Sequence, residues 1–315
     1  MERFGQPFSV NQFTVRVDGP LGEQGRAGAN LFRATALPIE CIVNAVVKER
    51  RADDGDMKRE RQVLEDCNEK GHPILTGDGK PYYIGSCPTD NGGLRLVFRA
   101  GDKSLASHFG TGDNTIVTCR RQKLAIALNI CLGVLEALKP LHNAGWVHMD
   151  VQPGNVLYNR RTEKVTLIDY GAAVKNEASG DQVRDRSWEY SAPEQWDRQT
   201  CTRRTDSFAV VGLLVYLVTG EAPFVARTQE DHKTLCKTVV MGGEESGPCQ
   251  ETEDFLDRSE HFVGPALQHH AGLDGNDHGL RHLLWMGMAR RRSHRWSCDK
   301  LETEMRKLLL RAVEE

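Results

Sequence analysis

Residues 141–171, LHNAGWVHMDVQPGNVLYNRRTEKVTLIDYG, decide the fold of this chain. The stretch carries three oxygen-bearing side chains, Asp150, Asn155 and Asp169, and the apolar segment VTLI just before Asp169 is typical of a β-strand. Mg²⁺ is a hard cation that prefers carboxylate, amide and phosphate oxygens as ligands. The three side chains are of the types that supply oxygen ligands to such a cation.

The composition is that of an ordinary globular protein. Its 315 residues are enough for two lobes with separate cores. Because the formal net charge is only −3, we expect no general attraction to nucleic acid. The nine cysteines include no Cys-x-x-Cys pair, so neither a disulfide framework nor a zinc site is indicated.

The N-terminus, MERFGQPFSV, lacks a basic segment followed by an apolar core. The longest apolar run, residues 208–218, is too short to cross a bilayer. We therefore expect neither a signal peptide nor a membrane span. The scattered cysteines favour a reducing, cytoplasmic location, with the nucleus also open.

The first hundred residues contain short segments rich in strand-forming residues, separated by glycine-rich or charged loops. These segments predict five strands and, between the third and fourth strands, one helix over residues 57–68. The predicted strands cover residues 13–17, 30–35, 41–48, 82–85 and 94–98.

After residue 100 the apolar residues recur at helical spacing, interrupted by one hairpin of short strands. The predicted fold class is α+β, with a small antiparallel β lobe at 13–100 and a larger helical lobe at 101–315 that together form one domain. The predicted helices cover residues 123–138, 206–218 and 301–313, and the hairpin strands cover 155–158 and 165–168.

Residues 148–155, HMDVQPGN, resemble the catalytic loop of the eukaryotic-type protein kinase family, His-Arg-Asp-x-Lys-Pro-x-Asn. The segment DYG, residues 169–171, resembles that family's Asp-Phe-Gly and begins nineteen residues after Asp150. The resemblance implies a bilobal, protein-kinase-like fold. It also implies that Asp150 accepts the proton of a substrate hydroxyl, while Asn155 and Asp169 hold Mg²⁺ on the phosphates of ATP.

Residues 187–194, SWEYSAPE, resemble the end of the activation segment in the same family, and Asp206 follows twelve residues after Glu194. The resemblance implies that Arg295 pairs with Glu194 in a bidentate contact that lysine would make less well. We therefore expect a platform for a protein substrate.

The resemblance also implies a set of nucleotide-binding residues. Lys48 resembles the family's strand lysine that contacts the α- and β-phosphates, and Glu60 is its expected helix partner. A glycine loop would bind phosphate through backbone N–H groups, although its spacing is G-x-x-G-x-x-G instead of G-x-G-x-x-G. The full set is Gly22, Gly25, Gly28, Val46, Lys48, Glu60, the hinge residues Phe98 and Ala100, and Leu157 at the floor of the adenine pocket.

Two positions of the catalytic loop depart from the family. Met149 replaces an arginine that captures a phosphorylated activation segment, so we expect no phosphate capture at this position. Gln152 replaces a lysine near the transferring phosphoryl group. The loss of that charge predicts a catalytic rate that is lower by a factor of roughly 10² to 10³. The predicted catalytic residues are Asp150, Gln152, Asn155 and Asp169.

The function favoured by these motifs is an ATP- and Mg²⁺-dependent protein kinase, with Pro153 and Ser187 favouring a serine or threonine acceptor in a protein substrate. A second hypothesis is a pseudokinase that acts as a scaffold, suggested by Gln152 and the glycine spacing. A third is a small-molecule kinase of the aminoglycoside or choline kinase type, whose loop is similar but which lacks a segment like 187–194. The sequence indicates no oligomeric state.

Overall fold

A computed structural model describes residues 7–21, 30–37, 43–50, 54–109, 120–178, 188–196, 199–224, 278–289 and 291–314. The chain divides into two compact units, Met1–Asp102 and Lys103–Glu315.

The first unit contains a six-stranded sheet in which all neighbouring strands are antiparallel. The spatial order of the strands is β1-β2-β3-β4-β6-β5. The sequence predicts all of them except β1, whose three residues are too few to show an alternating pattern. The strands are β1 (Phe8–Val10), β2 (Phe13–Pro20), β3 (Asn30–Leu37), β4 (Val43–Arg50), β5 (Tyr83–Pro88) and β6 (Leu94–Arg99).

The two faces of this sheet carry different side chains because successive residues of a strand point to opposite faces. One face forms an apolar core that includes Val15, Val47 and Val97, each fully buried. On the other face, β4 and β6 place Val46 opposite Phe98 in the pairing register. The residues that the sequence assigns to nucleotide binding in these strands therefore lie on the face opposite that core.

Helix α1 (Gly55–Glu69) follows β4 and includes the predicted segment 57–68. Its start is fixed by Asp54, whose side chain accepts hydrogen bonds from the backbone N–H groups of Asp56 and Met57. The helix buries one polar residue, Glu60, among apolar neighbours such as Met57 and Val63. A buried carboxylate requires a partner.

The second unit is mainly helical. Each predicted helix is present and extends further at both ends, and the predicted hairpin is shifted by one residue. The helices in its described residues are α2 (Leu105–Phe109), α3 (Arg120–Asn143), α4 (Pro193–Trp196), α5 (Arg203–Thr219), α6 (His278–Gly287) and α7 (Cys298–Glu314). Its strands are β7 (Trp146–Val147), β8 (Val156–Asn159), β9 (Lys164–Leu167) and β10 (Val174–Lys175), paired as β7-β10 and β8-β9. The predicted α+β class is confirmed.

Helix α3 packs against α5, α7 and β9. Within the described part of the chain it is the one helix long and apolar enough, over Gln122–Asn143, to cross a membrane by length and composition. The sequence analysis did not identify this candidate. Over half of the apolar window is buried against other elements, as in the core helix of a globular domain.

Helix α6 lies close to α5 because Gly287 has no side chain. A Cβ atom at Gly287 would lie 2.4 Å from Cγ2 of Val211, a residue that is fully buried in α5. The absent side chain of Gly287 thus makes room for Val211 on α5.

We predict that Gly287→Ala destabilises the protein because its methyl group overlaps Val211. Overpacking of this kind costs about 1–3 kcal/mol, which urea denaturation can measure. In the double variant Val211→Ala/Gly287→Ala the overlap is removed, so the loss should be smaller than the sum of the two single losses. Strict additivity would contradict this contact.

Candidate active site

The carboxylate of Asp206 fixes the backbone of the loop that precedes Asp150. Asp206 lies in the first turn of α5 and is 1% exposed. Its two oxygens accept the backbone N–H groups of His148 and Met149, each at 2.9 Å, and Oδ2 also lies 2.7 Å from Nε2 of His142. These three contacts would be hard to lose without unfolding the loop, because each loss leaves a buried polar group without its partner.

Met149 adopts a left-handed backbone conformation, with φ of 70°, which is unfavourable for a residue with a side chain. Its N–H is held by Asp206, and its carbonyl oxygen accepts a hydrogen bond from Nε2 of Gln195 at 3.1 Å. The Met149 side chain is buried in an apolar cluster that includes Val147 and Val174. This position thus contributes apolar packing where the related family has an arginine.

Asp150, Gln152 and Asn155 come together as the sequence predicts. Nε2 of Gln152 lies 3.1 Å from each carboxylate oxygen of Asp150. Nδ2 of Asn155 donates to the Asp150 carboxylate at 2.8 Å and to its backbone carbonyl at 2.9 Å. Because both donors are neutral amides, they orient the carboxylate without adding positive charge beside it.

Asp169 lies two residues after the hairpin of β8 and β9, and Asn155 lies just before it. The backbone N–H of Ile168 donates to the Asn155 carbonyl at 3.0 Å, and Asp169 comes next, with φ of 65°. His148 lies against this turn, with Nε2 3.2 Å from the Ile168 carbonyl oxygen and its ring 5.1 Å from the ring of Tyr170. The hairpin therefore brings the backbone at Asp169 close to the backbone at Asn155.

The chemistry of Asn155 and Asp169 fits Mg²⁺. The amide nitrogen of Asn155 is bound to Asp150, so the amide oxygen is the atom that can face a cation, and Asp169 supplies a carboxylate. Across the described residues there is no group of three or more His, Cys, Asp or Glu side chains that could hold a metal ion. Mg²⁺ commonly uses only one or two protein ligands together with phosphate oxygens and water.

In the first unit, Lys48 and Glu60 form the predicted ion pair. Nζ of Lys48 lies 2.7 Å from Oε2 of Glu60, and the two side chains are 15% and 1% exposed. The pair joins β4 to α1 and gives the buried carboxylate of α1 its partner. Val46 lies on the same sheet face as Lys48, two residues earlier in β4, with Phe98 as its cross-strand neighbour.

The contacts of the other predicted nucleotide-binding residues give less support to nucleotide binding than those of Lys48 and Val46 do. The N–H of Ala100 donates to the carbonyl of Asn44 at 2.9 Å, so a nucleotide contact by Ala100 would have to use its carbonyl oxygen. Leu157 is half-buried in β8 of the second unit, paired with Thr166. The glycine-loop residues Gly22, Gly25 and Gly28 lie outside the described residues. Ser187 lies outside them as well.

Glu194 and Arg295 form the predicted bidentate pair, with N···O distances of 2.6 and 2.9 Å. They are 3% and 1% exposed. Thr205 donates to the same carboxylate at 2.8 Å, and Arg295 also donates to the backbone carbonyl of Arg204 at 3.0 Å. Burial by itself would raise the pKa of Glu194, but the Arg295 guanidinium holds it below the usual range.

Two residues of this site, His142 and Gln195, were missed by sequence reasoning. Burial by itself would lower the pKa of His142, but the hydrogen bond and charge of Asp206 raise it to about 9. His142 is separated from Asp206 by a loop, a hairpin and the segment 188–196, so no local spacing indicates the contact. Gln195 is adjacent to Glu194 in the sequence, but its contact with the distant Met149 carbonyl has no local pattern either.

The chain is similar to several known proteins. A family model described as protein kinase domain matches residues 96–303. Serine/threonine-protein kinase 1 of Orgyia pseudotsugata multicapsid polyhedrosis virus is 38% identical over 109 residues, covering 34% of this chain and 38% of that protein. Serine/threonine-protein kinase PknB of Mycolicibacterium smegmatis is 25% identical over 211 residues, covering 65% of this chain and 32% of that protein. This chain thus spans about a third of the length of both relatives.

A solved structure, that of the Cydia pomonella granulovirus kinase PK-1, aligns with a TM-score of 0.65. The alignment covers 91% of this chain and 92% of that chain at 16% sequence identity. The match confirms the predicted fold class.

We predict that Arg295→Ala lowers the free energy of unfolding by about 3–5 kcal/mol, because it leaves the Glu194 carboxylate buried without its counter-charge. Urea denaturation measures the loss. The double variant Glu194→Gln/Arg295→Met, which removes both charges, should lose less than Arg295→Ala alone.

A matched control for that series is Lys307→Ala, which removes an exposed partner of Glu304. Exposed ion pairs contribute little, so this change should stay within about 0.5 kcal/mol of the parent protein. Equal losses in Arg295→Ala and Lys307→Ala would show that burial of the Glu194 charge is not the cause.

We predict that stability falls as the pH rises from 6.5 towards 9. In this range folded His142 keeps its proton on account of Asp206, whereas the unfolded chain releases it. The contribution is complete below pH 6.5, and its loss is at most about 3 kcal/mol. Urea denaturation at a series of pH values measures it. His142→Gln should show a flatter profile, and parallel profiles would contradict protonation of His142.

Proposed function

Because this chain belongs to the protein kinase domain family, we propose that it transfers the γ-phosphoryl group of ATP to a serine or threonine hydroxyl of a protein substrate. The observation that carries the proposal is the Asp150 carboxylate, held by Gln152 and Asn155 in one buried group. Such a carboxylate is positioned to accept the proton of an attacking hydroxyl.

The roles of the other residues follow from their contacts. Asn155 and Asp169 would hold Mg²⁺, which when bound offsets the negative charge of the phosphates. Gln152 keeps Asp150 oriented and can donate a hydrogen bond, yet it brings no positive charge to the reacting phosphoryl group. Slow turnover is therefore part of the proposal.

The ion pair of Lys48 with Glu60 supports a nucleotide-binding role for the first unit. The carboxylate of Glu60 holds the ammonium group in one place, and the lysine remains 15% exposed. A positioned ammonium group of this kind binds the phosphates of ATP in the kinase family. Val46 and Phe98, on the same face, would supply apolar contact to the base.

The pair of Glu194 with Arg295 favours a protein substrate over a small molecule. It holds the end of the segment 188–196 against the first turn of α5 through Thr205. This segment corresponds to the part that small-molecule kinases lack. Retention of Lys48, Asp150 and Asp169 together favours catalysis over a scaffold role.

The direct test is transfer of radioactive phosphate from γ-labelled ATP to a peptide library containing serine and threonine. We expect Mg²⁺-dependent labelling by the parent chain and none by Asp169→Ala or Asp150→Asn. Label on a metabolite and never on peptide would favour the small-molecule reaction. Absence of both labelling and Mg²⁺-dependent ATP binding would favour the scaffold.

We predict that Gln152→Lys raises the turnover number, because an ammonium group at this position stabilises charge on the transferring phosphoryl group. The turnover number should rise by a factor of up to roughly 10² to 10³, which is the loss in rate expected when one charged donor is removed. Steady-state labelling of the same peptides measures it. Gln152→Met, which has similar length and no donor, should instead lower turnover, and equal effects of both changes would contradict the role given to Gln152.

A further inference from the structure

The second unit contains a cavity of about 740 Å³, and of the predicted catalytic and nucleotide-binding residues that the structure describes, none lines it. It lies between the end of α3, the start of α5, the start of α7 and residues 291–293. Because four arginines line it, it is named the arginine cavity; they are Arg203, Arg204, Arg291 and Arg292.

The arginine cavity has an excess of positive charge. Lys139 lines it in addition to the four arginines, and among the described residues the carboxylates in its lining are those of Glu177 and Asp299. Lys139 is already paired with Glu136 and Glu302. The charge available to a ligand therefore comes mainly from the guanidinium groups.

Backbone carbonyl groups orient three of these guanidinium groups. Arg203 donates to the carbonyl of His142 at 2.6 Å, and Arg204 donates to those of Arg292 and Ser293 at 3.0 and 2.7 Å. Arg292 donates to the carbonyl of Thr200. A carbonyl group is uncharged, so these bonds hold the guanidinium groups in place without cancelling their charge.

Two helices begin at this cavity. The starts of α5, at Thr202 and Arg203, and of α7, at Ser297 and Cys298, both contribute to the lining. Each helix is 17 residues long, so each has a full dipole with its positive end at its start. Both helix dipoles therefore add to the positive potential of the guanidinium groups in the same cavity.

We propose that the arginine cavity binds a phosphate monoester carried by a peptide, namely a phosphoserine or phosphothreonine side chain. A guanidinium group presents paired N–H donors that match phosphate oxygens, and several oriented arginines can bind one phosphate together. The volume is far greater than one phosphate needs and accommodates neighbouring peptide residues as well.

A peptide fits the charges better than a nucleic acid does. Glu177 and Asp299 lie in the same lining and would repel a ligand that carries a phosphate at every residue. A peptide with a single phosphate can place that group at the arginines and keep neutral residues beside the carboxylates. The binding does not depend on the proposed phosphotransfer and requires no ATP.

The test is fluorescence anisotropy of the whole chain with a fluorescein-labelled degenerate peptide that has one fixed phosphoserine, beside the same peptide with serine. We expect the phosphopeptide to bind at least about tenfold more tightly, as charge-assisted hydrogen bonds would give. Millimolar inorganic phosphate should compete. Equal affinity of the two peptides would overturn the proposal.

The variant Arg203→Gln/Arg291→Gln should weaken phosphopeptide binding by about tenfold or more. Arg291 is exposed, so Arg291→Gln alone tests the site even if the change at Arg203 disturbs the start of α5. Arg311→Gln removes the same charge from an exposed position near the far end of α7, about 20 Å from its start, and should leave binding unchanged.

Circular dichroism establishes that each variant is folded. Undiminished binding by a folded Arg203→Gln/Arg291→Gln protein would overturn the proposal, as would an equal loss in Arg311→Gln. Tighter binding of a single-stranded oligonucleotide than of the phosphopeptide, with loss in the same double variant, would assign the cavity to nucleic acid instead.

Discussion

The buried carboxylate of Asp206 is the constraint on which the site depends. A charge placed in the interior must be matched by hydrogen bonds, and Asp206 obtains them from two consecutive backbone N–H groups and from the His142 ring. After these two groups the chain turns at Met149, whose φ is positive and whose carbonyl oxygen accepts a hydrogen bond from Gln195. Asp150 comes next, at the position where Gln152 and Asn155 bind it.

The first turn of α5 holds two parts of the site because adjacent residues point in different directions. Asp206 binds the catalytic loop, while Thr205 donates to the Glu194 carboxylate. That carboxylate also accepts hydrogen bonds from two nitrogens of the Arg295 guanidinium group. The capping box between Thr202 and Thr205 fixes where the helix begins. A shift of α5 by one residue would therefore disrupt both the catalytic loop and the segment that ends at Glu194.

Contacts that are local in the sequence could be predicted, and those between distant segments mostly could not. The spacing of Asp150, Asn155 and Asp169 indicates the group because a short turn and one hairpin connect them. Arg295 was identified through the family resemblance, since no local pattern relates it to Glu194. The arginine cavity and the hydrogen bond from the Ala100 N–H to the Asn44 carbonyl depend on tertiary packing. The sequence therefore indicates neither of them.

The arginine cavity and the catalytic loop share the start of α5, which raises the question of whether a ligand in one affects the other. A ligand shifts a conformational equilibrium only by as much as it prefers one state over the other. Arg203 and Arg204 are held by carbonyl groups on one side of this turn, and Thr205 and Asp206 are held by buried partners on the other. A turn fixed on both sides has little room for a second state. Under the proposed function, a phosphopeptide in the cavity should therefore act by holding a substrate near the catalytic loop, which lowers the KM for a tethered substrate and leaves the turnover number unchanged.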